Sequence, residues 1–167
     1  MVKPFVGLAT GLSDGYVNLD GSRGTKMVLG AAAGWRWANG LGLEVDVALS
    51  PTMLKGSSDL VTTGRVTTTM VNASWLLPWP TRIRSYVSGG IGMAHVDFND
   101  ALEAYTASSS LAAANIGGGF LLPLSRRAQI DLDGRYVRSR YGDPIASSFG
   151  EPYLAFWRFR GGLVLRF

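Results

Sequence analysis

The chain has 167 residues, of which 47% are hydrophobic and only 17% charged, below the roughly 25% charge of an ordinary soluble domain; mean hydropathy is +0.15. There is no cysteine, which excludes disulfides, thiolate metal sites and thiol catalysis, and no unbroken run of the roughly 18 apolar residues that a transmembrane helix needs. The net charge of +4 comes from basic residues scattered along the chain rather than gathered on a tail or one face, which argues against a nucleic-acid partner.

What remains is hydrophobicity interleaved with polarity. Eight alternating segments follow one another near 4–12, 26–38, 41–54, 64–77, 84–97, 110–122, 128–140 and 153–167, each closed by a turn. Met1-Val2-Lys3-Pro4 enters the first directly, so the chain reads as a mature form with a start Met, its leader removed. In the third, Leu41, Leu43, Val45, Val47 and Leu49 oppose Gly42, Glu44, Asp46 and Ala48. In the seventh, Ile130, Leu132, Gly134 and Tyr136 oppose Gln129, Asp131, Asp133 and Arg135. In the last, Tyr153, Ala155, Trp157, Phe159, Gly161, Leu163, Leu165 and Phe167 oppose Arg158, Arg160, Gly162 and Arg166. This period of two marks strands with one apolar and one polar face.

A soluble sandwich would alternate too, and three features decide against it. The segments exceed the 5–6 residues common in soluble strands and match the roughly 9–11 that cross a bilayer at a tilt. Connections alternate: short at 38–40, 78–82 and 123–127, longer and polar at 13–25, 55–63, 98–109 and 141–152. Aromatics gather at segment ends: Trp35, Trp37, Trp75, Trp79, Phe120 and Phe167 near the short turns, and Phe98, Tyr141, Phe149, Tyr153 and Trp157 toward the long loops, as in two interfacial girdles. A sheet in lipid must close to leave no unpaired edge, and eight strands enclose a lumen that side chains can fill. The expected fold is all-β: a single domain over 1–167, a closed eight-stranded antiparallel up-and-down transmembrane β-barrel. An even strand count puts both termini on one side, read as the periplasm.

Three stretches carry a family likeness: the terminal strand Phe159-Arg160-Gly161-Gly162-Leu163-Val164-Leu165-Arg166-Phe167, the run from Ser85 to Phe98 with its Gly89-Gly90-Ile91-Gly92, and the run from Gly30 to Trp37. The chain resembles the OmpA-type, or opacity-protein-like, outer-membrane barrels. The resemblance implies a bacterial outer-membrane location, contact with outer-membrane lipid and lipopolysaccharide, and recognition of the C-terminal strand by the outer-membrane assembly machinery. A further envelope protein is a conceivable partner; a cofactor is not implied.

The candidate site is a charge cluster on the inward face: Arg36, Glu44, Asp46, Asp131, Asp133, Arg135, Arg158, Arg160 and Arg166. Asp133 is expected beside Arg160, and Arg36 beside Glu44. Charges in a narrow, poorly hydrated lumen must pair, and Arg suits carboxylates. The preferred reading is a salt-bridged plug in a barrel with a structural or interaction role; a narrow gated pore is the alternative, and catalytic use of a carboxylate a distant third. His95 is the sole histidine, which rules out a multi-histidine metal site. Asp97 follows two residues on, but Ser88 falls on the opposite face and no His-x-Ser motif occurs, so His95 reads as the interfacial end of the fifth strand. A lipid-modifying enzyme is accordingly disfavoured, and no catalytic, cofactor or metal residues are assigned. The glycine runs lack the helix that a phosphate loop needs and read as close packing. Arg82, Arg84, Arg126 and Arg127 read as anchors near the short turns, and Asp97, Asp100 and Glu103 as loop charge.

Overall fold

In the computed structural model the described residues are 1–14, 25–54, 61–79, 83–100, 106–140 and 153–166. They form eight strands: β1 (Val2–Asp14), β2 (Lys26–Arg36), β3 (Leu41–Leu54), β4 (Val61–Leu76), β5 (Arg84–Asp100), β6 (Thr106–Pro123), β7 (Ala128–Arg140) and β8 (Tyr153–Leu165). Each pairs antiparallel with its chain neighbours, and β8 pairs with β1, closing the barrel. The closed eight-stranded antiparallel barrel is the one the sequence predicts.

The strands run further toward the long-loop end than the sequence suggests. β4 begins at Val61, β5 continues to Asp100 and β6 begins at Thr106, so the connection expected over 98–109 shrinks to 101–105. Asp97 and Asp100 therefore lie within β5, and Glu103 falls outside the described residues. Hydroxyl-rich stretches such as Val61-Thr62-Thr63 and Thr106-Ala107-Ser108 hold extended backbone well. The short turns are tied locally. At 37–40, Gly40 takes φ 88° and the Trp37 N–H donates to Leu41 O at 2.8 Å. At 124–127, Ser125 Oγ accepts from the amide of Ala128 at 3.1 Å.

Inside and outside alternate along the strands, except at the long-loop end of β8, where Ala155 and Phe156 are both buried beside a register shift with β1. Outward faces are apolar over the middle of the barrel: Val6 and Leu8, Leu43, Val45 and Val47, Val71, Val87, Ile91 and Met93, Ile116, Leu132, and Phe159 and Leu163 are all exposed. The interior holds a charged middle between two apolar zones. Tyr86, Leu121 and Val164 pack at the short-turn end; Val28, Ala48, Val66, Val96, Leu111 and Phe156 belong to the larger cluster toward the other end.

Cross-strand register explains how bulky side chains fit so small a bore. Large inward residues face an inward glycine on the neighbouring strand: Arg160 opposite Gly7, Glu44 opposite Gly34, Arg135 opposite Gly117 and Asp133 opposite Gly119, Asn72 opposite Gly90, Phe5 opposite Gly30. A Cβ at Gly117 would run into the Gly134 carbonyl and lie 2.7 Å from Arg135 Cα, whereas a Cβ at the outward Gly161 would meet only Leu132 Cδ2 at 3.7 Å. Gly117→Val is therefore expected to abolish the compact, heat-modifiable form on gels after refolding, while Gly161→Val refolds as the parent does.

Candidate functional site

The charged middle of the lumen is one connected network. Four buried cations, Lys3, Arg135, Arg158 and Arg160, meet four buried carboxylates, Glu44, Asp46, Asp131 and Asp133, so the formal charges cancel. β3 supplies Glu44 and Asp46, β7 supplies Asp131, Asp133 and Arg135, and β8 supplies Arg158 and Arg160.

Asp133 and Arg160 are direct cross-strand partners, with Arg160 Nε donating to Asp133 Oδ1 at 3.0 Å. Arg160 also reaches Glu44 Oε1 at 3.0 Å. Arg135 donates from Nε to Asp133 Oδ1 at 2.9 Å, from Nη1 to Asp46 Oδ2 at 3.2 Å and from Nη2 to Glu44 Oε1 at 3.2 Å. Arg158 joins Asp46 Oδ1 at 3.2 Å and Thr68 Oγ1 at 3.1 Å. The guanidinium fork lets each arginine bridge acceptors that come from different strands.

Several members escaped the sequence reading. Lys3 Nζ lies 2.7 Å from both Glu44 Oε2 and Asp131 Oδ2. The Tyr86 hydroxyl sits 2.6 Å from Asp133 Oδ2 and 2.8 Å from Asp131 Oδ1, between the two carboxylates. Asn72 Nδ2 donates to Asp46 Oδ2 at 2.7 Å, and Asn115 Nδ2 to Asn72 Oδ1 at 2.7 Å. All share the inward parity, but a lone Lys, Tyr or Asn among apolar neighbours carries no charge pattern that would single it out.

Arg36 and Arg166 stand apart from this network. Gly34, not Arg36, faces Glu44, so the expected Arg36–Glu44 pair does not form; Lys3, Arg135 and Arg160 occupy Glu44 instead. The Arg36 guanidinium lies 6.0 Å from the Tyr86 ring centroid, and Arg166 Nη2 donates to Gln129 Oε1 at 3.2 Å. With Arg84 they line a cavity of about 460 Å³ at the short-turn mouth. Above the network the lumen is tight: the space bounded by Val28, Val66, Thr68, Phe156 and Arg158 measures about 10 Å³, about the least that holds one water.

Among the interfacial aromatics, Trp35, Trp37, Trp75 and Trp79 are all exposed at the short-turn end, as is Phe120. At the other end Trp157 is exposed, lies tilted against Tyr136 with centroids 5.3 Å apart, and stacks on Phe159 at 6.1 Å. The side chains of Phe98 and Tyr153, and residues Tyr141, Phe149 and Phe167, lie outside those described.

The outward face holds a second constellation. β5 carries His95 and Asp97 outward, and β6 places Ser110 directly opposite His95. His95 Nδ1 lies 2.9 Å from Ser110 Oγ, and His95 Nε2 lies 3.1 Å from Asp97 Oδ1. Ser88, considered from the sequence, is buried in the lumen. The hydroxyl comes from the next strand, where the register of β5 against β6 places it.

No family model matches the chain, and no curated protein matches it in sequence. Solved structures do. Neisserial surface protein A superposes with a TM-score of 0.76 at 11% identity, over 99% of this chain and 96% of that one. OprG of Pseudomonas aeruginosa gives 0.56 at 15% identity, over 99% and 94%. Ail, the attachment invasion locus protein of Yersinia pestis, gives 0.52 at 16% identity, over 97% of both chains. The likeness establishes the fold, that of small eight-stranded outer-membrane barrels, in line with the resemblance read from the sequence.

Asp46 is the shared acceptor of Arg135, Arg158 and Asn72. Removing one partner of a buried ion pair leaves an uncompensated charge and costs on the order of 3–5 kcal/mol. Asp46→Ala is expected to lower the unfolding free energy by about that much in urea titrations of the refolded barrel. Asp97→Ala, on the exposed face, is expected to change it by less than about 1 kcal/mol.

Proposed function

We propose that the chain is an integral barrel of a bacterial outer membrane with a structural or interaction role, its lumen closed by the Arg–carboxylate network. The observation that carries this reading is the inversion of the molecule: an apolar belt outside and a neutral, buried ionic network within. Water cannot serve a solvent-facing surface of this kind well, whereas lipid can. Both termini lie at the short-turn end, which the proposal places in the periplasm, with the longer connections outside. Lipid and lipopolysaccharide cover the belt, the assembly machinery receives the C-terminal strand, and the outer connections are free to meet another envelope protein.

The membrane placement is tested by depth. Val71 is half-exposed in mid-belt, and Val71→Arg is expected to cost about 2–4 kcal/mol in bilayer unfolding titrations. Thr67→Arg, four residues nearer the long loops, is expected to cost no more than about 1 kcal/mol. Equal costs at the two positions would contradict a membrane belt.

A narrow gated pore is the second reading, favoured by the shared acceptors. Arg135 and Arg160 both contact Glu44 and Asp133, so partners can exchange by rotamer changes alone. In planar bilayers the plug predicts insertion with a silent baseline, and discrete conductance steps only when Arg160 and Asp133 are both replaced by Ala. Steps in the parent protein that vanish on Arg160→Ala would establish the gate instead.

A further inference from the structure

We propose that Ser110, His95 and Asp97 form a hydrolytic site on the outer wall of the barrel, acting on acyl esters of membrane lipids; the substrate class rests on the membrane placement above. The three groups are linked in one row, with Ser110 Oγ 2.9 Å from His95 Nδ1 and Asp97 Oδ1 3.1 Å from His95 Nε2. Asp97 accepts a hydrogen bond from His95 Nε2–H, which sets the tautomer and leaves Nδ1 free to take the proton of Ser110. A nucleophile, base and orienting carboxylate are recognised by these roles rather than by chain order.

The height of the row on the barrel selects the substrate. Along the outward face of β5 the residues run Val87, Gly89, Ile91, Met93, then His95 and Asp97; along β6 they run Ile116, Ala114, Ala112, then Ser110. Both strands change from apolar to polar at the site itself. Ester carbonyls of a bilayer lipid lie at that same boundary, below the headgroup and above the chains. Ile91, Met93 and Ile116, all strongly exposed, offer apolar surface to the acyl chain. On the polar side Arg65 stands outward opposite Asp97 and is exposed. Its guanidinium group suits a phosphate-bearing headgroup and the negative charge that develops on the carbonyl oxygen.

The reaction balances with water as the only co-reactant. Ser110 Oγ bonds to the acyl carbonyl carbon while its proton passes to His95 Nδ1. The tetrahedral intermediate expels the lipid alkoxide, which takes that proton, leaving an acyl-Ser110 ester. A water molecule then attacks the acyl carbon, giving its proton to His95. Ser110 Oγ departs with that proton, releasing a fatty acid.

The test uses the refolded full chain in mixed micelles with an anionic diacyl phospholipid, following fatty-acid release, together with intact-mass detection of a fluorophosphonate adduct. The proposal expects release and a single adduct on Ser110. Ser110→Ala removes the adduct, and Ser110→Ala and His95→Asn each lower release by on the order of 10²-fold or more. Ser88→Ala, in the lumen, leaves both signals intact, and gel heat-modifiability shows that each variant is folded. No adduct and no release from the folded parent overturns the site. An adduct on Ser110 with hydrolysis of a soluble short-chain ester but not of the phospholipid overturns the lipid substrate. If the folded protein also fails to insert into vesicles, the membrane placement falls separately.

Discussion

An eight-stranded barrel has a bore that side chains must fill, and this one is filled with charge. Everything else in the structure answers to the condition that those buried charges cancel one another. Four cations and four carboxylates meet that condition as a network rather than as isolated pairs. Glu44 is held by Lys3, Arg135 and Arg160 at once, and Asp46 by Arg135, Arg158 and Asn72. Charges in a low-dielectric interior are costly to bury singly, so the loss of any one member is felt by several strands. The network also stitches β3 to β7 and β8 across the lumen, contacts that ladder hydrogen bonds between neighbours cannot supply.

Size complementarity is the second half of that condition. Arg160, Arg135, Glu44 and Asp133 each face a glycine on an adjacent strand. Gly7, Gly34, Gly117 and Gly119 are therefore the negative image of the network: their places in the sequence are those of the large inward residues seen from the next strand. Where the interior has no charge, as around Val28, Ala48 and Val66, small and medium apolar side chains fill it directly.

The fold was legible because strand alternation is local. A period of two in Leu41–Leu49 and Ile130–Tyr136 states which face is which before any partner is known, and long strands with alternating short and long connections point to closure. The membership of the ionic network was partly legible, since inward parity and formal charge pick out Glu44, Asp46, Asp133 and Arg160. Its pairing was not. Arg36 sits two residues past the position that faces Glu44, and Lys3, which takes that role, is a single basic residue at the chain start. The Ser110–His95 contact was illegible for a related reason. It depends on the register of β5 against β6, and this followed from hydroxyl-rich strand ends that had read as loop.

The claim on which the rest depends is that the lumen network is dry and closed. It is tested most directly by hydrogen exchange at the arginine side chains, followed by NMR of the refolded barrel in micelles. The account predicts strong protection of the guanidinium protons of Arg135, Arg158 and Arg160, which are almost fully buried, alongside fast exchange at the exposed Arg65 and Arg138. Exchange at Arg135, Arg158 and Arg160 as fast as at Arg65 would mean a hydrated lumen and would contradict the plug.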